Sequence, residues 1–214
     1  MLLLQVAMLI VSLTKVNGIR LCRHSPKRVQ FSLSSSVDAL KNKDLPDSGD
    51  LLMTGINLMQ DITVKAISCK EVVQESILKN DLSPQAASAL GEVMACSLMM
   101  GSGLKDGETL QVNVVGSTGL KNVMVITDGE LKCRGMVGNS QISLVGEDSD
   151  RIRNLFGEGQ IQVVRNHPSW KYPTNGITLL RDTRIPLNLA LYMAESEQRT
   201  TVLITDVRVD GSLC

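Results

Sequence analysis

Residues 83–115 constrain the fold of this chain most strongly, because they predict a helix that is apolar around most of its circumference. Ser83 suits the N-cap, where its hydroxyl can accept a hydrogen bond from a free amide, and Pro84 suits the first helical position. As far as Met100 the helix carries a single polar stripe, formed by Gln85, Ser88 and Glu92. Such a helix must be covered on more than one side, so we expect it at the centre of the core.

The residues after this helix alternate between apolar and polar side chains. Gly101 and Gly103 stop the helix, and residues 110–115 then predict a strand with one buried face. The turn sequences GSTG and DG lead into strands at 120–127 and 131–137. Because the turns are so short, these three strands must be antiparallel neighbours.

The remaining periodic segments complete the predicted domain. A strand at 62–66 precedes a short helix, for which Ser68 and Glu71 form a capping-box pattern, and this helix makes a helical hairpin with the central one. Later segments predict strands at 160–165, 176–180 and 201–209 and a helix from Pro186 to Glu195. The fold class is therefore α+β, a mainly antiparallel sheet packed with a helical hairpin and one later helix.

The N-terminal part has a different composition from the rest. Residues 1–18 form a signal-like hydrophobic leader, too short in its apolar run to be a stable membrane anchor. Residues 19–49 form a transit-like basic segment and linker, and residues 1–37 contain five bases and no acid. A two-part leader of this kind predicts import into a plastid, with a mitochondrion as the second choice. Residues 50–214 form the domain.

The charge balance excludes a common class of partner. After the leader, 17 bases face 22 acids, and the whole chain has only five aromatic residues. Such a surface offers neither phosphate-neutralising charge nor stacking platforms, so we expect no nucleic-acid partner.

The cysteine pattern predicts no local metal site. Five cysteines occur, no two closer than 27 residues, so no CxxC or CxC pair exists: Cys22, Cys69, Cys96, Cys133 and Cys214. Cys133 lies between Lys132 and Arg134, which could lower its pKa, although a half-buried structural thiol is the simpler interpretation. The lone His167 outside the leader has no histidine neighbour in the sequence. No residue is therefore predicted to be catalytic, to bind a cofactor or to bind a metal.

Two segments resemble the heat shock protein 33 family of chaperones. The first carries a helix of the form LGE-x-x-A, at Leu90, Gly91, Glu92 and Ala95. Lys105 follows the helix, and an RG-x-x-x-N motif comes after the next strands, at Arg134, Gly135 and Asn139. The second contains Ser196, Glu197 and Gln198, similar to the family segment SEQ-x-P-T, with Thr200 where the family has proline. The resemblance covers residues 50 to 214 and implies a structural role for these positions.

The resemblance implies an ATP-independent holdase, not an enzyme, that binds unfolding client proteins under heat or oxidative stress and can form a homodimer. Full-length family members hold zinc through a C-terminal domain with a CxC and a CxxC, whose oxidation controls client binding. None of the cysteines here matches those positions, so we expect no zinc in this chain and no zinc-based redox switch. The sequence fits either a fragment or a shortened relative.

Client contacts are expected on apolar patches of the sheet and the helical hairpin, with adaptable methionines if these are exposed. The methionines concerned are Met53, Met59, Met94, Met99, Met100, Met124 and Met136. Two alternatives remain open from the residues, a thiol-based enzyme that uses Cys133 and a non-chaperone interaction subunit.

Overall fold

A computed structural model describes residues 6–13, 49–56, 58, 61–142, 151–207 and 209. The helices are α1 (Lys70–Asn80), α2 (Pro84–Gly101), α3 (Arg151–Phe156) and α4 (Ile185–Glu195). The strands are β1 (Val6–Leu13), β2 (Leu51–Ile56), β3 (Ile62–Ser68), β4 (Thr109–Gly116), β5 (Asn122–Asp128), β6 (Cys133–Val137), β7 (Gly159–Asn166), β8 (Thr174–Leu179) and β9 (Thr200–Val207).

The strands form two antiparallel sheets. Sheet A has the order β2-β3-β1-β9, and sheet B has the order β6-β5-β4-β7-β8. The predicted α+β class is confirmed, and so is the antiparallel pairing of β4 with β5 and of β5 with β6. The sequence patterns identified most strands but did not show that they divide between two sheets.

Helix α2 is the core element that joins the two sheets. It contacts β4, β5 and β6 in sheet B, β1, β3 and β9 in sheet A, and both α1 and α4. Every residue from 89 to 101 is buried. Burial of a large apolar side chain contributes about 1.5–3 kcal/mol, so α2 accounts for much of the folding free energy.

The start of α2 agrees with the sequence prediction, whereas its polar stripe does not. The Ser83 hydroxyl accepts a hydrogen bond from the Ala86 amide at 3.4 Å, and Pro84 is the first helical residue. Glu92, a member of the predicted polar stripe, is buried with 7% of its surface accessible. The expectation fails because sheets and helices pack around the whole helix.

The predicted capping box at the start of α1 is wrong. The N-cap residue is Cys69, whose side chain makes no capping hydrogen bond. Instead the Asp50 carboxylate accepts hydrogen bonds from the amides of Glu71 at 2.8 Å and Val72 at 2.9 Å. The pairing of β2 with β3, which sets Leu51 opposite Ser68, brings Asp50 to this helix end.

Strand β1 comes from the segment that the sequence assigns to a hydrophobic leader. It lies between β3 and β9 and is antiparallel to both. The interpretation of residues 1–18 as a leader stays a prediction, and residues 14–48, with most of the basic segment, lie outside the described residues. Among the helices that the structure describes, none is long and apolar enough to cross a membrane.

Substitution of Gly135 tests the close packing of α2 against sheet B. A Cβ atom at Gly135 in β6 would lie 2.6 Å from Leu90 Cδ1 and 3.2 Å from Met94 Sδ. We expect Gly135→Ala to lower the free energy of unfolding by about 1–3 kcal/mol, because the buried helix must shift. Urea denaturation measures this change.

Gly55→Ala is the matched control for this substitution. Gly55 also lies in a strand, and no atom lies within 4 Å of the position of its Cβ. We expect its free energy of unfolding to stay within about 0.5 kcal/mol of the unsubstituted chain. Equal stability of the two variants would contradict the close contact between α2 and β6.

Candidate functional site

The first family-like segment supplies contacts around α2. A Cβ atom at Gly91 would lie 3.1 Å from Val207 and 3.3 Å from Val73, so the glycine lets α2 approach both β9 and α1. Leu90 is fully buried and contacts the backbone of β6 at Gly135. These positions therefore lie at helix contacts rather than in a cleft.

The other positions of this segment lie at the surface or in turns. Lys105 is exposed, and its backbone amide donates a hydrogen bond to the Glu108 carboxylate at 3.0 Å. Arg134 is exposed on β6. The Asn139 side chain donates to the Gly119 carbonyl at 3.1 Å and fixes the loop before β5.

The second family-like segment joins the end of α4 to β7. Glu197 accepts a hydrogen bond from the Tyr192 hydroxyl at 3.1 Å, and its Oε1 lies 3.3 Å from a terminal nitrogen of Arg165. Burial, with the nearby Glu197 carboxylate, raises the pKa of Tyr192. The Ser196 amide donates to the Tyr192 carbonyl at 2.8 Å, and Gln198 has a φ of 53°. This segment thus ends the helix and turns the chain into β9.

The three described cysteines are in surroundings that disfavour the thiolate. Burial raises the pKa of Cys69 to about 12 and that of Cys133 to about 12, and it also raises the pKa of Cys96. Asp128 adds to the effect at Cys133, whereas Lys132 forms an ion pair with Glu130 at 2.5 Å. The basic neighbours of Cys133 therefore do not lower its pKa.

The described residues do not fit the zinc that full-length relatives are expected to hold. Within the described ranges, no three residues among His, Cys, Asp and Glu lie close enough to hold a metal ion. His167 hydrogen-bonds with Ser169 and with the Asp106 carbonyl instead.

The outer face of sheet A is the candidate functional surface. Residues opposite one another in antiparallel strands share a face. In β1, Val11 lies opposite Val64 of β3 on one side and Val202 of β9 on the other. Leu9 of β1 likewise lies opposite Ala66 and Ile204. Leu203 points inward and is 3% exposed, whereas Val202 and Ile204 are 51% and 55% exposed. We call the surface formed by Met53, Val64, Ala66, Val202 and Ile204 the apolar face of sheet A.

The apolar face departs from the usual pattern of a half-exposed sheet. Such sheets alternate between apolar inward and polar outward residues, yet β3 presents Ile62, Val64 and Ala66 outward in succession. The outer face of sheet B combines polar and apolar side chains. Its central strands β4 and β7 carry Gln111, Asn113 and Gln162 on that face. Exposed apolar side chains grouped on one face are a feature of interaction sites.

The methionines of the helical hairpin are buried and do not form an exposed surface. Met94 and Met99 are 0% and 1% exposed, and Met100 is also buried, so these methionines fill the core. On the hairpin, α1 leaves Leu78 exposed. Met136 on β6 is exposed, and Met59 lies outside the described residues.

Comparison with known proteins decides the family. The family model described as Hsp33 protein matches residues 50–213. The chain belongs to the Hsp33 family. It is 28% identical over 155 residues to the 33 kDa chaperonin of Geobacter sulfurreducens, covering 70% of this chain and 52% of the relative. It is 30% identical over 164 residues to the 33 kDa chaperonin of Thermus thermophilus, and the match covers 75% of this chain and 48% of that relative.

The fold comparison points to the same family. The crystal structure of the 33 kDa chaperonin from Thermotoga maritima matches with a TM-score of 0.64 and 25% identity, covering 69% of this chain and 51% of that one. This Hsp33-family chain spans about half the length of the relatives it matches. The resemblance inferred from the LGE-x-x-A and SEQ segments is confirmed at the level of the family.

Alkylation of the cysteines tests the inert character of Cys133. With a pKa of about 12, roughly one thiol in 10⁵ is ionised at pH 7. We expect iodoacetamide to label Cys133 far more slowly than it labels a free cysteine in a model peptide, with a rate that rises about tenfold per pH unit. Peptide mass spectrometry after timed quenching measures each cysteine separately.

Unfolding the chain in urea provides the control, since it removes the burial that raises the pKa of Cys133. The rate should then approach that of the model peptide. Fast labelling of Cys133 in the folded chain at pH 7 would restore the thiol-enzyme hypothesis.

Proposed function

We propose that this Hsp33-family chain is an ATP-independent holdase that binds unfolding proteins under heat or oxidative stress through the apolar face of sheet A. The observation that carries the proposal is the exposure of Val202 and Ile204 beside other outward apolar residues. The relatives named 33 kDa chaperonin support the chaperone role. The partners would be unfolded client proteins, and the chain would not act as an enzyme.

The character of the surface suits a holdase better than a binder of one fixed ligand. Non-native proteins expose apolar segments of varied sequence, and a broad apolar face can cover such segments by the hydrophobic effect alone. The described part of sheet A places mainly aliphatic side chains on this face, which impose few directional requirements. No bound nucleotide is needed for such contacts.

Redox control by zinc release is not part of the proposal for this chain. Oxidation requires accessible thiolate, and burial raises the pKa of Cys69, Cys96 and Cys133. We therefore propose that client binding by this chain is not controlled by oxidation of these three cysteines. A second copy of the chain, joined through the apolar face, would compete with clients for the same surface.

Charged substitutions on β9 test the apolar face. We expect Val202→Lys combined with Ile204→Lys to weaken suppression of the aggregation of a heat-unfolded client enzyme by several-fold, because charge disfavours apolar contact. Light scattering at increasing ratios of chaperone to client, with and without peroxide, measures the effect.

A matched control exists on the other sheet. Ile177 and Leu179 on β8 are 51% and 57% exposed, so Ile177→Lys with Leu179→Lys adds the same charge at the same spacing. This control should retain suppression if its melting temperature is unchanged. Equal loss in both variants, or no suppression by the unsubstituted chain at stoichiometric ratio, would contradict the proposal.

For localisation, we propose that residues 1–49 direct the chain to a plastid, with a mitochondrion second. The support is the apolar segment followed by an acid-free basic segment. We expect a fluorescent protein fused after residue 49 to enter plastids, as seen by microscopy, while a fusion with Arg20, Arg23, Lys27 and Arg28 changed to Glu should not. Cytosolic fluorescence of the unsubstituted fusion would contradict the proposal.

A further inference from the structure

A cavity of about 200 Å³ lies between the C-terminal end of α2, sheet A and β7. Three bases from separate parts of the chain line it, namely Lys65 on β3, Arg165 on β7 and Arg199 just before β9. Among the described lining residues there is no carboxylate. Strand β1 borders the same region and has no ionisable side chain in its sequence. The cavity therefore concentrates positive charge.

Lys65 is held in place by neighbouring groups. Lys65 Nζ donates to Ser102 Oγ at 2.5 Å and lies 3.5 Å from the Met99 carbonyl oxygen. This carbonyl is in the last turn of α2, where the negative end of the helix dipole favours a cation. Burial, and then the charge of Arg199, lower the pKa of Lys65. An anion in the cavity would relieve the repulsion between these two bases.

Arg165 provides an independent sign of a missing acceptor. One of its terminal nitrogens pairs with Glu197 at 3.3 Å, but its Nε is buried without a hydrogen-bond partner among the described residues. Buried donors are almost always hydrogen-bonded, so an orphan donor at the wall of a cavity calls for a ligand or ordered water.

The rest of the lining defines the kind of ligand. Thr63 and Thr201 both lie opposite Ser12 of β1, and both line the cavity with their hydroxyl-bearing side chains. Met99, Leu104 and Met193 supply an apolar wall. The volume is several times the roughly 30 Å³ share of one water molecule. A small anion with a short apolar part would satisfy both halves of the lining.

We propose that this cavity binds a small organic phosphate or carboxylate, with the anionic group between Lys65, Arg165 and Arg199 and the apolar part against Met99, Leu104 and Met193. The site is separate from the apolar face of sheet A, since Thr63, Lys65 and Leu203 belong to the opposite, inward face. The proposal does not depend on holdase activity.

Calorimetry on the full chain tests the site with four probes at constant ionic strength, namely inorganic phosphate, butyl phosphate, butyrate and butan-1-ol. We expect one equivalent of butyl phosphate or butyrate to bind and to raise the melting temperature, whereas butan-1-ol should not bind. Tighter binding of butyl phosphate identifies a phosphate ligand, and tighter binding of butyrate identifies a carboxylate. Binding of inorganic phosphate as tight as butyl phosphate would overturn the apolar half of the assignment.

Arg199→Gln and Glu197→Gln should move the affinity in opposite directions. Loss of the Arg199 charge should weaken binding roughly tenfold or more, as expected for a charge-assisted hydrogen bond. Loss of the Glu197 carboxylate frees Arg165 and should tighten binding. Melting temperatures without ligand establish that both variants fold.

Arg134→Gln is the matched control, because Arg134 is an exposed arginine on sheet B, away from the cavity lining. It should leave the affinity unchanged. Equal weakening by Arg134→Gln and Arg199→Gln, or no heat and no change in melting temperature with any anion, would overturn the proposal.

Discussion

The packing of α2 between two sheets is the contact on which the rest of the structure depends. Its apolar circumference contacts strands of sheet A and of sheet B, so one helix covers part of the inner face of each sheet. Close approach depends on small residues, since Gly91 faces Val207 and Val73, and Gly135 on β6 faces Leu90. The hydrophobic effect supplies the free energy, and the glycines permit the short distances.

This arrangement explains where the buried residues of the family-like segments lie in this Hsp33-family chain. The LGE-x-x-A positions lie on the buried helix, and Glu197 of the second segment holds α4 against Arg165 on β7. Such residues preserve the contacts between the sheets and helices. They mark the fold, whereas a client surface must lie where side chains meet solvent.

Sheet A has apolar residues on both faces. Its inner face packs on α2 through Ile67 and Leu203, and its outer face exposes Val202 and Ile204. The inner face also borders the basic cavity, because Lys65 reaches the end of α2 from β3. The two faces of one sheet thus offer two different environments, an apolar surface outside and a charged cavity inside.

Elements with local signals could be predicted from the amino-acid pattern. The Ser83-Pro84 start, the apolar run of α2 and the turns between β4, β5 and β6 predicted the helix, the strand pairing and the fold class, and the LGE-x-x-A and SEQ segments predicted the family. Contacts between distant residues were decided only by the tertiary structure. Asp50 caps α1 because β2 pairs with β3. Glu92 is buried because two sheets cover its helix. Lys65, Arg165 and Arg199 line one cavity because β3, β7 and the start of β9 converge there. Periodicity reports which face of an element is apolar, but only the packing of elements far apart in the chain decides what covers that face.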